Sequence, residues 1–368
     1  MIERVRATLT TVIMIASRPT LLALLLAAAF IFAACGDEGG SGTEAESTVA
    51  PDSPSVTEPA PTAIESPASP TEFSIQTFAV PDGSRPHDVA PATDGGVWYT
   101  AQRRAALGWL DPDTGDTREI PLGAGSAPHG VIVGPEGDAW VTDGGLNAIV
   151  RVDAGTDALS VFPLPADRPN ANLNTAAFDG RGRIWFTGQN GIYGVLDPAT
   201  KEMQVYDAPR GAGPYGIAAT PDGEIYFASL AGSYVGNVDI DSGVATVLEP
   251  PTAGQGARRV WSDSSGRIWV SEWNAGQLAL YDPALGTWQE WPLPGLEPQA
   301  YAVYVDDRDL VWLSDFGGNA LVLFDPASQL FTTFELPSTP SEVRQLLGRP
   351  GELWAPASAV DQLVVIRY

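Results

Sequence analysis

One phrase is rewritten seven times along this chain, and its spacing leaves few architectures open. Each copy carries an aromatic residue at the same place: Trp98, Trp140, Trp185, Tyr226, Trp269, Trp312 and Trp354, separated by 42, 45, 41, 43, 43 and 42 residues. A period in the low forties built from short strands is the signature of a β-propeller. The clearest copy runs Pro128-His129-Gly130-Val131, turns at Pro135-Glu136-Gly137-Asp138, and continues Ala139-Trp140-Val141-Thr142-Asp143. A third strand at 148–152 and a fourth at 159–165 complete the unit. The expectation is an all-β, seven-bladed β-propeller over residues 73–368, with four strands per blade.

The count of strands predicts how the ring closes. The seventh repeat passes through Trp354 and ends at Tyr368 after only three strands. The missing fourth stands before the first repeat, where residues 73–81 (FSIQTFAVP) match the pattern of residues 331–337 (FTTFELP). Pairing the N-terminal strand into the last blade removes two exposed sheet edges. The recurrent aromatics are expected in the core, filling the wedge between stacked blades. Gly 39 and Pro 32 beside 44% hydrophobic residues fit a chain of strands and tight turns.

Charge and residue inventory exclude several functions. A formal net charge of −25 repels nucleic-acid backbones and disfavours anionic membrane surfaces. With His87, His129 and Cys35 as the whole complement of His and Cys, a Cys/His zinc site and an internal disulfide are both ruled out.

The first 35 residues read as a secretory signal: Arg4, Arg6 and Arg18, then an apolar run from Leu21 to Ala34. Ala33-Ala34-Cys35 resembles a bacterial lipoprotein box, so Cys35 is expected to be lipidated. The protein would then be exported and anchored on the outer side of the cytoplasmic membrane, the lipid being its sole membrane contact; without lipidation it would be secreted. Residues 36–72, rich in Glu, Ser, Thr, Pro and Gly, are expected to form a disordered tether. A monomer is expected.

Topology predicts which residues share a face. The turn entering a first strand and the turn leaving a second strand lie at one end of a blade, so their residues converge on one mouth of the central channel. Beside the repeat Pro stand His87, His129, Asn174, Tyr215, Arg258, Tyr301 and Val343, with Arg259 and Arg344 one step further in. Polar groups converging on a cavity mark a binding site for a small molecule or peptide. Three residues after the aromatic stand Asp143, Glu272 and Asp315 among others. Asp143 and Asp315 precede glycine turns and either bond the turn backbone or act as ligands. Glu272, followed by Trp273-Asn274, has no such local role. Three carboxylates at a mouth could hold a hard cation such as Mg²⁺ or Ca²⁺; nothing calls for an organic cofactor.

The phrases Pro-His-Gly-Val, Gly-Asp-Ala-Trp-Val-Thr-Asp and Ile-Trp-Val-Ser-Glu-Trp-Asn, recurring from Pro86 to the C-terminus, resemble the virginiamycin B (streptogramin B) lyase family. The resemblance implies a seven-bladed propeller that linearises a cyclic depsipeptide by Mg²⁺-dependent elimination, a His acting as base on the Cα–H beside the ester. It also implies catalytic histidines beside the repeat Pro in the last two blades, and there this chain has Tyr301 and Val343. Its histidines stand in the first two blades instead. The expected roles are therefore His129 and His87 as catalytic bases; Asp143, Glu272 and Asp315 on the metal; and Asn174, Tyr215, Arg258, Arg259, Trp273, Tyr301 and Arg344 on the substrate. A non-enzymatic binding propeller and a sugar-lactone hydrolase are the alternatives.

Overall fold

The computed structural model describes residues 72–368; the expected export signal, Cys35 and nearly all of the expected tether lie outside the described residues. From Ser74 onward the chain forms seven four-stranded antiparallel sheets arranged as the blades of a β-propeller, with one short 3-10 turn at Gln102–Arg104. The innermost strands of blades 1 to 7 are Pro86–Pro91, Pro128–Val133, Leu173–Phe178, Pro214–Ala219, Ala257–Ser262, Ala300–Val305 and Leu347–Arg349.

The ring closes as expected. Ser74–Ala79 is the outermost strand of blade 7, paired antiparallel with Gln362–Arg367 from Ser74 opposite Arg367 to Ala79 opposite Gln362. Phe78 stacks on Trp354 with ring centres 5.6 Å apart. Asp361 then clamps the chain as it leaves for blade 1, its carboxylate accepting the N–H groups of Gly83 and Arg85.

Second strands such as Val97–Ala101 and Ile268–Glu272 are buried at every residue, because blades stack on both their faces. Outer strands such as Leu159–Pro163 are largely exposed. The seven aromatics are all buried, and each packs against the blade that follows it. Trp98 meets Val131 and Val141, Trp185 meets Ile217 and Phe227, and Trp354 crosses the closure to Val89 and Tyr99. Burying side chains of this size contributes strongly to holding neighbouring blades together. In four blades the indole N–H is bonded as well: Trp185, Trp269 and Trp312 donate to Asp179, Asp263 and Asp306 in the preceding turn, and Trp354 donates to Glu352.

A ring of hydroxyls, which sequence reasoning missed, ties the blades together around the channel. Thr100 Oγ1 accepts the Asp88 N–H at 3.0 Å and donates to the His129 carbonyl of the next blade at 3.0 Å. Thr142 links Gly130 to Asn174 in the same way, Thr187 links Thr175 to Tyr215, Ser271 links Arg259 to Tyr301, and Ser314 links Ala302 to Val343. The signal was present: Ser or Thr stands two residues after the aromatic in five of the seven repeats. Replacing Thr142 by the isosteric Val is expected to cost about 2 kcal/mol, because a buried N–H and a buried carbonyl lose their partner together. Urea unfolding followed by circular dichroism checks this, and an unchanged midpoint would deny the hydroxyl its role.

Candidate functional site

Six of the innermost strands break register near their start, between Pro86 and Val89, Pro128 and Gly130, Leu173 and Ala176, Pro214 and Ile217, Ala257 and Arg259, and Ala300 and Val303. A β-bulge abolishes strict alternation and re-aims side chains. Two consecutive residues can then reach the channel, as His87 with Asp88 and Arg258 with Arg259 do. The hydroxyl ring fixes the backbone of these same bulges. The residues beside the repeat Pro thereby meet at one mouth. The opposite mouth, lined by Pro91, Val133, Phe178, Ala219 and Trp261, is apolar.

At the centre of the polar mouth the imidazoles of His87 and His129 lie 3.8 Å apart, centre to centre. His87 Nδ1 donates to Asp88 Oδ1 at 2.7 Å, which leaves Nε2 with the lone pair. Asp88 is buried and also receives Arg259 at 3.2 Å. His129 Nε2 accepts from the Asn174 amide at 3.4 Å, and its Nδ1 has no protein partner. Burial, reinforced by Arg259, Arg344, Arg258 and Arg85, holds His87 well below the ordinary histidine range. Burial and the neighbouring His87 do the same to His129, against the opposing pull of Asp88. Both rings are consequently neutral at neutral pH.

The remaining expected substrate contacts surround this pair. Tyr215 and Tyr301 bond hydroxyl to hydroxyl at 2.5 Å. Arg258 donates to the Tyr215 hydroxyl at 3.2 Å, and its guanidinium lies 3.4 Å from the centre of the Tyr301 ring and 4.4 Å from that of Trp273. Burial would raise the Tyr215 phenol, but Arg258 and Arg259 outweigh it and bring it below its usual value. Arg344 sits over Tyr301 and Phe316 and pairs with Glu342, which also holds Arg85. Behind Asp88 and Arg259 a cavity of about 30 Å³ leads inward past Thr175 and Gln345, room for roughly one or two waters. Asp88, Phe316 and Gln345 belong to this site and were not singled out from the sequence. Asp88 occupies the same inner step after the repeat Pro that pointed to Arg259 and Arg344.

The three carboxylates expected to bind metal do not assemble into a cage. Asp143 accepts the N–H groups of Ala127, Gly145 and Leu146 and the Ser126 hydroxyl. Asp315 accepts those of Gln299 and Gly317. Both therefore staple turns, the other reading open to an Asp before Gly. Glu272 is buried, with one oxygen on Gln277 and the other unpartnered, and burial pushes its carboxyl up to about 8. Among the described residues, the His/Cys/Asp/Glu set whose ligand atoms converge is His87, Asp88 and His129. Mg²⁺ and Ca²⁺ require oxygen donors. This set offers two nitrogens and a carboxylate already shared between His87 and Arg259, so these residues do not fit either ion.

Fold and site together define a seven-bladed propeller with a polar, histidine-bearing channel mouth. The model of the virginiamycin B lyase family matches residues 66–284, and the chain belongs to that family. The virginiamycin B lyase of Nocardia farcinica (strain IFM 10152) is 31% identical over 220 residues, 60% of this chain and 74% of that protein. A solved streptogramin B lyase structure superposes with a TM-score of 0.74 at 20% identity, covering 80% of this chain and 97% of the other. A catalytically inactive histidine-to-alanine variant of the Staphylococcus aureus virginiamycin B lyase, solved with quinupristin, superposes with a TM-score of 0.74 at 18% identity over 81% of this chain and all of its own. At such identities these structures share the fold. The family match ends in blade 5, so Tyr301 and Arg344 lie beyond it.

Proposed function

We propose that this protein is a carbon–oxygen lyase that opens an ester by elimination at the polar mouth, with His87 as general base. The observation that carries the reading is the buried Asp88–His87 pair. The carboxylate fixes the imidazole through Nδ1–H and leaves Nε2 free to take a proton. In the reaction Nε2 removes the Cα–H, a Cα=Cβ double bond forms, the Cβ–O bond breaks, and the acyl half leaves as a carboxylate. The proton remains on His87, whose new charge Asp88 offsets. Negative charge develops on the carbonyl oxygen beside Cα and then on the departing carboxylate. Arg258, Arg344 and the Tyr215 hydroxyl, which cluster at this mouth, are the donors that would receive it. His129, held by Asn174, packs against His87 and fixes its ring. No step is routed through Mg²⁺ or Ca²⁺, since the residues present fit neither ion.

The test is incubation with a streptogramin B compound followed by mass spectrometry. Elimination leaves the mass unchanged and creates a dehydro residue; hydrolysis adds water and favours a lactonase. His87→Ala is expected to lower kcat by at least ~10²-fold, the usual contribution of a positioned base. Because His87 titrates below the ordinary histidine range, kcat/KM should hold as pH falls through 6.5 and decline only at lower pH. An intact substrate after prolonged incubation would favour a non-enzymatic binding propeller.

A further inference from the structure

The mouth carries more cation than its own carboxylates balance. Arg85, Arg258, Arg259 and Arg344 converge there, and their ion-pair partners are Asp88 and Glu342. Asp88 serves Arg259 and also holds His87; Glu342 is divided between Arg85 and Arg344. Arg258 pairs with no carboxylate among the described residues. Three of the four, Arg258, Arg259 and Arg344, have a buried Nε–H without an acceptor. A chain whose net charge is −25 thus concentrates a local excess of two positive charges at one spot. Withdrawing guanidinium groups from water without a counter-ion is costly.

The aromatic surroundings add a second element. Tyr301, Trp273 and Tyr215 lie within 3.4–4.7 Å of the Arg258 guanidinium, measured to their ring centres. Phe316 stacks on Tyr301 at 4.7 Å. Cation–π contacts compensate part of the lost hydration and also position the fork. Arginine forks suit planar and tetrahedral oxyanions, with two N–H groups per acceptor pair. A flat apolar body would meet Trp273 and Phe316 beside them.

We infer that the ligand of this mouth bears an oxyanion, a carboxylate or phosphate on an aromatic or apolar body, and that Arg258 and Arg344 receive it. As a statement about the reaction this rests on the lyase reading above, where the oxyanion is the carboxylate that elimination releases; as a statement about binding it stands on the geometry alone. Arg259, held by Asp88, is the inner wall, and the outer pair selects the anion.

Calorimetric titration of the full chain with phenylacetate, phenyl phosphate and the neutral phenylacetamide tests the inference without turnover. At least one anion is expected to bind ten times tighter than the amide, the preferred one identifying carboxylate or phosphate. Raising NaCl from roughly 50 to 500 mM should weaken it, as screening requires. Arg258→Gln and Arg344→Gln should each erase most of the preference; Arg258→Lys keeps the charge without the fork and should retain part of it. Melting curves of each variant verify folding. Equal binding of amide and acids, a preference untouched in folded Arg variants, or no binding of either anion up to roughly 10 mM, a limit near −3 kcal/mol, would overturn it. Streptogramin cleavage without anion preference would sink this inference and leave the lyase reading intact; anion binding without cleavage would do the reverse.

Discussion

Deleting residues 73–81 from the full chain is expected to lower the melting temperature by at least ~10 °C. The strand Ser74–Ala79 supplies the outer edge of blade 7 through six paired residues. It also buries Phe78 against Trp354 and leads into Val80, which is buried in the same cluster and donates its N–H to the Asp361 carbonyl. Losing a buried Phe costs about 3–5 kcal/mol by itself, and a domain of this size melts roughly 2–4 °C lower per kcal/mol. The loss also uncovers Leu363 and Val365 on a bare strand, so the shortened protein should associate as its concentration rises. Differential scanning calorimetry and light scattering at two concentrations provide the readout. A melt unchanged from the full chain would show that the ring is stable open and that the closing strand contributes nothing. Phe78→Ala, which keeps the backbone pairing, should reproduce roughly half of the shift and so separates packing from hydrogen bonding.

That prediction follows from sequence because closure is a matter of counting: seven aromatics fix the number of blades, and a last repeat one strand short requires the strand to come from elsewhere. The mouth residues were legible for a related reason. Every copy of a repeat puts its post-proline residue at the same end of a blade, so His87, His129, Tyr215 and Arg258 converge however far apart they stand. Asp88 was less legible because strict strand alternation turns it away from the channel, and only the bulge brings it to Arg259. Periodicity also cannot distinguish a ligand from a staple. Asp143 and Glu272 occupy equivalent places in blades 2 and 5, yet the first is saturated by three backbone N–H groups and the Ser126 hydroxyl and the second keeps a bare oxygen. What separates them is the following residues, Gly144-Gly145 in one and Trp273-Asn274 in the other, which determine whether the turn offers donors.

That bare carboxyl gives a stability that depends on pH. Burial, partly opposed by the Gln277 hydrogen bond and assisted by Glu290, pushes Glu272 from 4.5 up to about 8. Between those values the folded protein holds a proton that the unfolded chain has released. Folding stability is therefore greatest below the unfolded value and falls as pH rises toward 8. A shift of one unit corresponds to about 1.4 kcal/mol, so wild type is expected to lose on the order of 3 kcal/mol from this group between pH 5 and pH 8. Glu272→Gln is neutral at every pH and retains an oxygen for Gln277. It should be close to wild type at pH 5, and more stable by most of that difference at pH 8. The comparison isolates one group, because the general repulsion of a chain at −25 acts on both proteins alike. Urea midpoints at the two pH values decide it: parallel pH slopes in wild type and variant would mean that Glu272 is ionised in the fold, with water or a cation at its free oxygen.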